Sequence, residues 1–117
     1  MVTKELLINT TPERTFAALG DPARRAMVDR LADGPLTVRD LAEPFDISRP
    51  AISKHLRVLS EAGIVDHTRH GREHWYALTP DALEDAGAWL ADVTETWRSA
   101  LRSLKHLAEE GTNGIRQ

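Results

Sequence analysis

A short stretch around residues 49–57 places cations and small hydrogen-bonding groups on one side of a predicted helix. Arg49, Ser53, Lys54 and Arg57 share that side. Guanidinium, ammonium and hydroxyl groups can donate to phosphate oxygens and to base edges in the DNA major groove. An ordinary solvated surface has the same composition, and the charge pattern of this face alone leaves that alternative open.

The face belongs to residues 36–63, which have the pattern of a short helix, a turn and a second helix. Ser48 is a favourable N-cap, and Pro50 falls in the first turn, where a missing N–H costs little. Gly63 is placed to end the second helix in a left-handed conformation. The apolar residues at helical spacing are Leu36, Val38, Leu41 and Ala42, then Ile52, Leu56, Val58 and Leu59. The pattern predicts a helix-turn-helix, whose second helix enters the major groove.

After Gly63 the pattern changes to two strand-like runs around a glycine turn. Residues 64–69 and 72–78 flank His70-Gly71, which predicts a hairpin with Arg69 and Arg72 opposed at its tip. Facing cations lower stability unless an anion lies there, so the tip is expected to lie over phosphates or the adjacent minor groove. His67 and His74 are predicted to face each other as a zinc pair, a proton-sensitive pair or two polar surface residues.

The last third of the chain has the pattern of one long helix, from about residue 80 to 110. Thr79 is its predicted N-cap and Gly111 its predicted end. Its apolar residues alternate three and four apart, as in a coiled-coil seam. They are Leu83, Ala86, Leu90, Val93, Trp97, Ala100, Leu104 and Leu107. At 1.5 Å per residue this helix is too long for one small domain, so we expect it to form a dimer interface.

Length, charge and composition restrict the classes of protein. A chain of 117 residues is expected to form one domain, with a formal net charge of −3. Cations outnumber acids between residues 49 and 74, whereas acids outnumber cations between 81 and 110. The absence of cysteine excludes disulfides and thiolate chemistry within the chain. No apolar run is long enough to span a membrane, and we expect a cytoplasmic protein.

We therefore expect a mostly α fold with a small β-hairpin. An N-terminal arm (1–11) precedes a single winged-helix domain (12–110), and 111–117 form a flexible tail. Within that domain the helix-turn-helix covers 37–62, the wing 64–78 and the dimerisation helix 80–110. An earlier helix begins at Asp21-Pro22, where Arg24 and Arg25 are either solvated or near phosphate.

The order of elements and the segment ISRPAISKHLRVLSEAGIVDHTRHGREHWYAL resemble the ArsR family of winged-helix transcriptional regulators. The resemblance covers about residues 12–108. It is carried by Asp21-Pro22, Arg24-Arg25, Leu41-Ala42, Ser48, Ser53, His55-Leu56, Leu59, Ala62-Gly63, Gly71-Arg72 and Tyr76–Leu78. It implies a dimer that binds palindromic promoter DNA, usually as a repressor.

Metal-sensing members of that family use residues that are mostly missing from this chain. The helix at 37–43 has no cysteine, and His106 and Glu109 match only half of the C-terminal metal motif. A transition metal needs three or four ligands, so we expect no metal site and no cofactor. A small organic effector near Trp89 and Trp97 is one alternative, and the absence of any effector is the other.

The resulting prediction is a sequence-specific DNA-binding regulator that acts as a homodimer and is not an enzyme. The predicted DNA contacts are Ser48, Arg49, Pro50, Ser53, Lys54, His55, Arg57, Arg69 and Arg72. For His55, a phosphate contact and an internal packing contact are both open. The alternative function is a winged-helix scaffold that does not read DNA.

Overall fold

The structure is a computed structural model and describes residues 11–116. Its helices are α1 (Thr11–Ala18), α2 (Pro22–Leu31), α3 (Val38–Ala42), α4 (Arg49–Glu61) and α5 (Pro80–Arg116). Its strands are β1 (Leu36–Thr37), β2 (Val65–His70) and β3 (Glu73–Leu78). The predicted class, mostly α with a small β-hairpin, is confirmed. The predicted N-terminal arm lies outside the described residues, except for Thr11, which begins α1.

The hairpin is part of a three-stranded antiparallel sheet in the order β1-β3-β2. Leu36 pairs with Tyr76 and Thr37 with Trp75, so Leu36 belongs to a strand and not to the first helix of the helix-turn-helix. Thr37 also caps α3, because its Oγ accepts from the Asp40 amide at 3.1 Å. One residue therefore ends the strand and begins the helix.

The wing turns one residue later than predicted. His70 pairs with Glu73 across a two-residue turn formed by Gly71 and Arg72, and Arg69 pairs with His74. The expected opposition of Arg69 and Arg72 is therefore wrong. Gly71 has φ 62°, and a positive φ at the first central residue is typical of a type II′ hairpin turn.

Helices α2, α3 and α4 pack with the end of α1, the start of the hairpin and the start of α5 around one apolar core. The residues buried in it include Ala18, Met27, Leu31, Leu41, Ile52, Leu56, Leu59, Ile64, Val65 and Ala82. The inward residues of α4 recur at three- and four-residue intervals, as the sequence pattern predicted. The core therefore holds one face of α4 and leaves the opposite face in solvent.

The chain divides into two compact units, one ending at Ala86 and the other beginning at Gly87. Helix α5 does not end at Gly111 but continues to Arg116. A glycine disfavours a helix by only about 1 kcal/mol relative to alanine, and no proline follows to stop it. Thr79 does not cap α5, since its buried hydroxyl has no partner among the described residues. No helix within residues 11–116 is long and apolar enough to cross a membrane.

Gly63 ends α4 as predicted, with φ 75°. The Gly63 amide donates to the Ser60 carbonyl, and the Ile64 amide donates to the Leu59 carbonyl, both at 3.0 Å. These two bonds define a Schellman motif, which redirects the chain from α4 into β2. The position needs a residue that tolerates a left-handed backbone.

Gly63→Ala should lower the free energy of unfolding by about 1–2 kcal/mol, the cost of a left-handed backbone for an L-residue. Nothing lies within 4 Å of the added Cβ, so backbone strain is the only penalty. Gly63→Asn should cost less, because asparagine enters this region more readily. Urea unfolding of the three proteins measures the difference. Equal losses in both variants would contradict this explanation.

Candidate nucleic-acid interface

Ser48 fixes the start of α4, and packing of one helix face against the core leaves the outer face exposed to solvent. The Ser48 Oγ accepts from the Ala51 amide at 3.3 Å and caps the helix, while Pro50 lies in its first turn. On the opposite face of the helix, three side chains are buried in the core: Ile52, Leu56 and Leu59. The predicted contact residues Arg49, Pro50, Ser53, Lys54 and Arg57 are all exposed. Cationic and hydroxyl-bearing side chains therefore occupy the solvent face of the second helix of a helix-turn-helix.

The first helix of the motif is held to the body of the domain by Arg30. Its Nη2 atom donates to the Asp40 carbonyl oxygen at 3.0 Å. Because Asp40 lies in α3, this bond ties α3 to α2. The cap at Thr37 ties the other end of α3 to the sheet. These bonds hold α3 in place between the sheet and α2.

The wing brings a second set of cations to the start of α4. Arg49 and Arg72 line one concave, mostly polar surface. The other residues around it are Thr37, Val38, Arg39, Asp40, Glu73, His74 and Trp75. Arg69 lies on the hairpin next to its tip, where its Nε donates to the Gly71 carbonyl at 2.9 Å. Cations from α3, α4 and the wing thus converge on one surface. The roles of Arg49 and Arg72 as DNA contacts stay predictions, and the sequence pattern did not single out Arg39.

His67 and His74 are in contact although they do not pair in the sheet register. His67 pairs with Tyr76 and reaches His74 diagonally, with 2.7 Å between His67 Nε2 and His74 Nδ1. The two rings stack at 4.9 Å, and His67 also stacks on Tyr76. Burial raises the pKa of the Tyr76 hydroxyl. The nitrogens that face each other share one hydrogen bond, so one accepts while the other donates.

No group of three or more potential metal ligands occurs among the residues that the structure describes. His106 Nε2 lies 3.0 Å from Glu110 Oε1, one turn along α5. Both side chains are exposed. This contact is that of an ordinary i,i+4 surface pair.

The apolar side chains of α5 fall into two groups. Ala86 is only 4% exposed and Leu83 packs against the core, so these two predicted interface residues belong to the protomer core. The predicted residues beyond them are exposed: Leu90, Val93, Trp97, Ala100, Leu104 and Leu107, accompanied by Trp89 and Leu101. Trp97 and Leu104 are each 64% exposed. An exposed apolar face of this extent is typical of a protein–protein contact.

Comparisons with known proteins agree with this architecture. Residues 19–68 match the family described as a helix-turn-helix domain. The HTH-type transcriptional regulator Rv2034 of Mycobacterium tuberculosis is 40% identical over 85% of this chain and 90% of its own length. Transcriptional repressor SdpR of Bacillus subtilis is 40% identical over 64% of this chain and 83% of its own.

A solved structure of an ArsR family transcriptional regulator, RHA00566, superposes with a TM-score of 0.72 at 37% identity. The match covers 76% of this chain and 98% of that one. The chain belongs to the ArsR family. It is a DNA-binding transcriptional regulator with the winged-helix fold of that family.

The ArsR resemblance included Arg24 and Arg25, and the structure assigns both of them a contact that the sequence did not reveal. Arg25 Nη1 donates to the Leu19 carbonyl at 2.7 Å. Arg24 donates through Nε to the Ala18 carbonyl and through Nη2 to the Ala17 carbonyl. The last carbonyls of a helix have no partner within it, and these guanidinium groups supply one for α1. Arg24 is half-buried, whereas Arg25 remains exposed, as expected of a solvated side chain.

Asp21 lies at the junction between α1 and α2 and is the N-cap of α2. Its Oδ1 accepts from the amides of Ala23 at 2.8 Å and Arg24 at 3.3 Å. Desolvation acts to raise the pKa of Asp21, but these amides, the neighbouring His55 ring and the Arg24 guanidinium lower it below its usual value. The ionised carboxylate is thus favoured where α1, α2 and α4 meet.

Proposed function

We propose that this ArsR-family chain represses transcription as a homodimer that binds a palindromic operator. The observation that carries the proposal is the convergence of Arg49 and Arg72 on one concave surface, next to the exposed cationic face of α4. In a dimer the two α4 helices enter successive major grooves, about 34–36 Å apart. A repressor among the relatives, SdpR, supports the direction of the effect.

Base reading is assigned to the start of α4 and phosphate binding to its remainder and the wing. Arg49, Ser53 and Lys54 contact base edges, and Pro50 packs on a thymine methyl group. The Ser48 hydroxyl donates to a phosphate while its oxygen caps the helix. Arg57, Arg69 and Arg72 supply salt-dependent phosphate contacts. The chain acts in the cytoplasm, where bacterial operators are, and carries out no catalysis.

The dimer is assigned to the exposed residues of α5. Helices with apolar residues alternating three and four apart pack side by side with knobs in holes. The occupant of this face is a second copy of the chain, because a two-fold dimer matches the two-fold symmetry of a palindrome.

Selection of bound sequences from random DNA tests the proposal. We expect enrichment of a palindrome whose half-sites are one helical turn apart, with the same motif in the presence and absence of zinc. Absence of any enriched motif would refute the proposed function and favour the winged-helix scaffold.

Arg49→Ala and Arg72→Ala should weaken DNA binding in different ways. Loss of a base contact costs about 1–3 kcal/mol and relaxes preference at one position of each half-site, which we expect for Arg49→Ala. Arg72→Ala should weaken all sequences alike and lower the salt dependence by about 0.9 per lost phosphate contact. Both effects are measured with a panel of single-base operator variants at several salt concentrations. Uniform weakening by both variants would show that Arg49 does not read bases.

A further inference from the structure

Arg24 joins the end of α1 to the second helix of the helix-turn-helix. Besides its bonds to the carbonyls of Ala17 and Ala18, its Nη1 atom lies 3.2 Å from Nδ1 of His55. His55 lies on the flank of α4, between exposed Lys54 and buried Leu56. The Arg24 guanidinium therefore contacts both the end of α1 and a residue beside the DNA-facing side of α4.

This contact determines where the proton of the His55 ring lies. A guanidinium has five N–H donors and no acceptor, so the atom that faces it must accept. Nδ1 of His55 therefore presents its lone pair to Arg24. The neutral ring then carries its proton on Nε2, because the hydrogen bond made by one imidazole nitrogen fixes the state of the other.

The second ring nitrogen remains available to a ligand. Within the described residues, the bond to Arg24 is the one hydrogen bond of the His55 ring, and Nε2 is not among the buried polar atoms without a partner. His55 is half-buried, so part of the ring reaches solvent. An N–H group on the flank of this helix is suited to a phosphate oxygen of the backbone that borders the major groove.

We propose that Arg24 is a positioning residue for DNA binding, which holds His55 so that its Nε2–H donates to an operator phosphate. This inference rests on the proposed function. It unites the two roles that the sequence left open for His55, since one nitrogen makes the internal contact and the other meets the DNA. It also connects the α1–α2 junction, where Asp21 and Arg24 lie, to the DNA-facing side of α4.

Arg25 is a matched control. It bonds the Leu19 carbonyl after the same helix and is exposed, yet makes no contact with α4 in the part of the chain that the structure describes. Arg25→Ala thus removes a helix-capping guanidinium without touching His55. If Arg24 only capped α1, the two alanine variants should behave alike.

The test combines the ionisation state of the free protein with DNA affinity. In full-length protein, ¹⁵N NMR of the neutral form of the His55 ring should show the proton on Nε2. Arg24→Ala should move the ¹⁵N chemical shifts of the His55 ring toward those of an unconstrained imidazole. Arg25→Ala should leave these chemical shifts unchanged. Fluorescence anisotropy with the selected operator should show a loss of about tenfold per half-site, and so about a hundredfold for the dimer, for Arg24→Ala and for His55→Ala, since one hydrogen bond to a charged group has that effect in each subunit. The double variant should lose no more than either single variant.

Two further variants leave Arg24 in place and do not depend on its capping role. The amide nitrogen of His55→Gln lies near the Nε2 position, so this variant should keep most of the affinity. The shorter His55→Asn should lose as much as His55→Ala. Protonation on Nδ1, additive losses in the double variant, or equal affinities for Gln and Asn would each overturn the inference. A protein that selects no operator refutes the proposed function instead, and the NMR result is independent of that outcome.

Discussion

Leu104→Glu should convert the protein to a monomer and lower its affinity for a two-half-site operator by about a hundredfold or more. Leu104 lies within the exposed apolar face of α5 and is 64% exposed in the single chain. In a two-fold dimer each substitution occurs twice, so two leucines are removed and two carboxylates enter one apolar contact. Burying an unpaired charge costs several kcal/mol, and each 1.36 kcal/mol is a factor of ten.

The loss of affinity arises from the loss of the second half-site. A monomer places one α4 helix in one major groove, whereas the dimer binds two grooves with a single loss of translational freedom. Sedimentation measures the oligomeric state, and anisotropy on full operators and single half-sites measures the affinity. We expect the variant and the wild type to differ little on a single half-site.

Ser99→Glu is the control for added charge. It introduces the same carboxylate five residues away on α5, but two positions beyond Trp97 and outside the three-four seam. This variant should remain dimeric and bind DNA nearly as the wild type does. A Leu104→Glu protein that remains dimeric would place the interface elsewhere and remove α5 from the proposed assembly.

The periodicity of the hydrophobic residues predicted the helices and the wing. It could not determine which two residues form the turn between β2 and β3. A turn at His70-Gly71 and a turn at Gly71-Arg72 differ by two residues in register. Because side chains alternate with a period of two, both registers keep every residue on the same face of the sheet. The choice depends on glycine conformation, and the positive φ of Gly71 suits the first central position of a type II′ turn.

The contacts of Arg24 and the strand at Leu36 depend on tertiary packing and left no periodic signal. Two residues are too few for a strand pattern, so the apolar spacing groups Leu36 with the helix that follows it. The guanidinium of Arg24 reaches a residue 31 positions away, and sequence spacing carries no information about such a pair. Local caps, by contrast, were predictable at Ser48 and Gly63, because their partners lie within a few residues.

The exposed cations distinguish a DNA reader from a winged-helix scaffold. Replacing Arg49, Lys54 and Arg72 together by glutamine should abolish operator binding, with a loss of about a thousandfold or more. All three side chains are exposed, so the fold and the α5 face should be unaffected. With Arg72 near a phosphate in each subunit, the slope of log affinity against log salt should fall by about 1.8. Anisotropy across a salt series measures both quantities, and sedimentation verifies the dimer.

A second triple variant separates local contacts from net charge. Arg98, Arg102 and Lys105 lie on α5 outside the three-four seam, and their replacement by glutamine removes the same formal charge from the chain. Long-range attraction is screened beyond about 8 Å at physiological salt, so this control should lose little affinity. Equal losses in the two triple variants would mean that DNA responds to overall charge alone. Unchanged DNA binding in the first triple variant would exclude the outer face of α4 and the wing as the surface that reads DNA. The result that we expect, a large loss of affinity in the first triple variant and a small loss in the second, would assign DNA recognition to the groups that converge around Arg49 and Arg72.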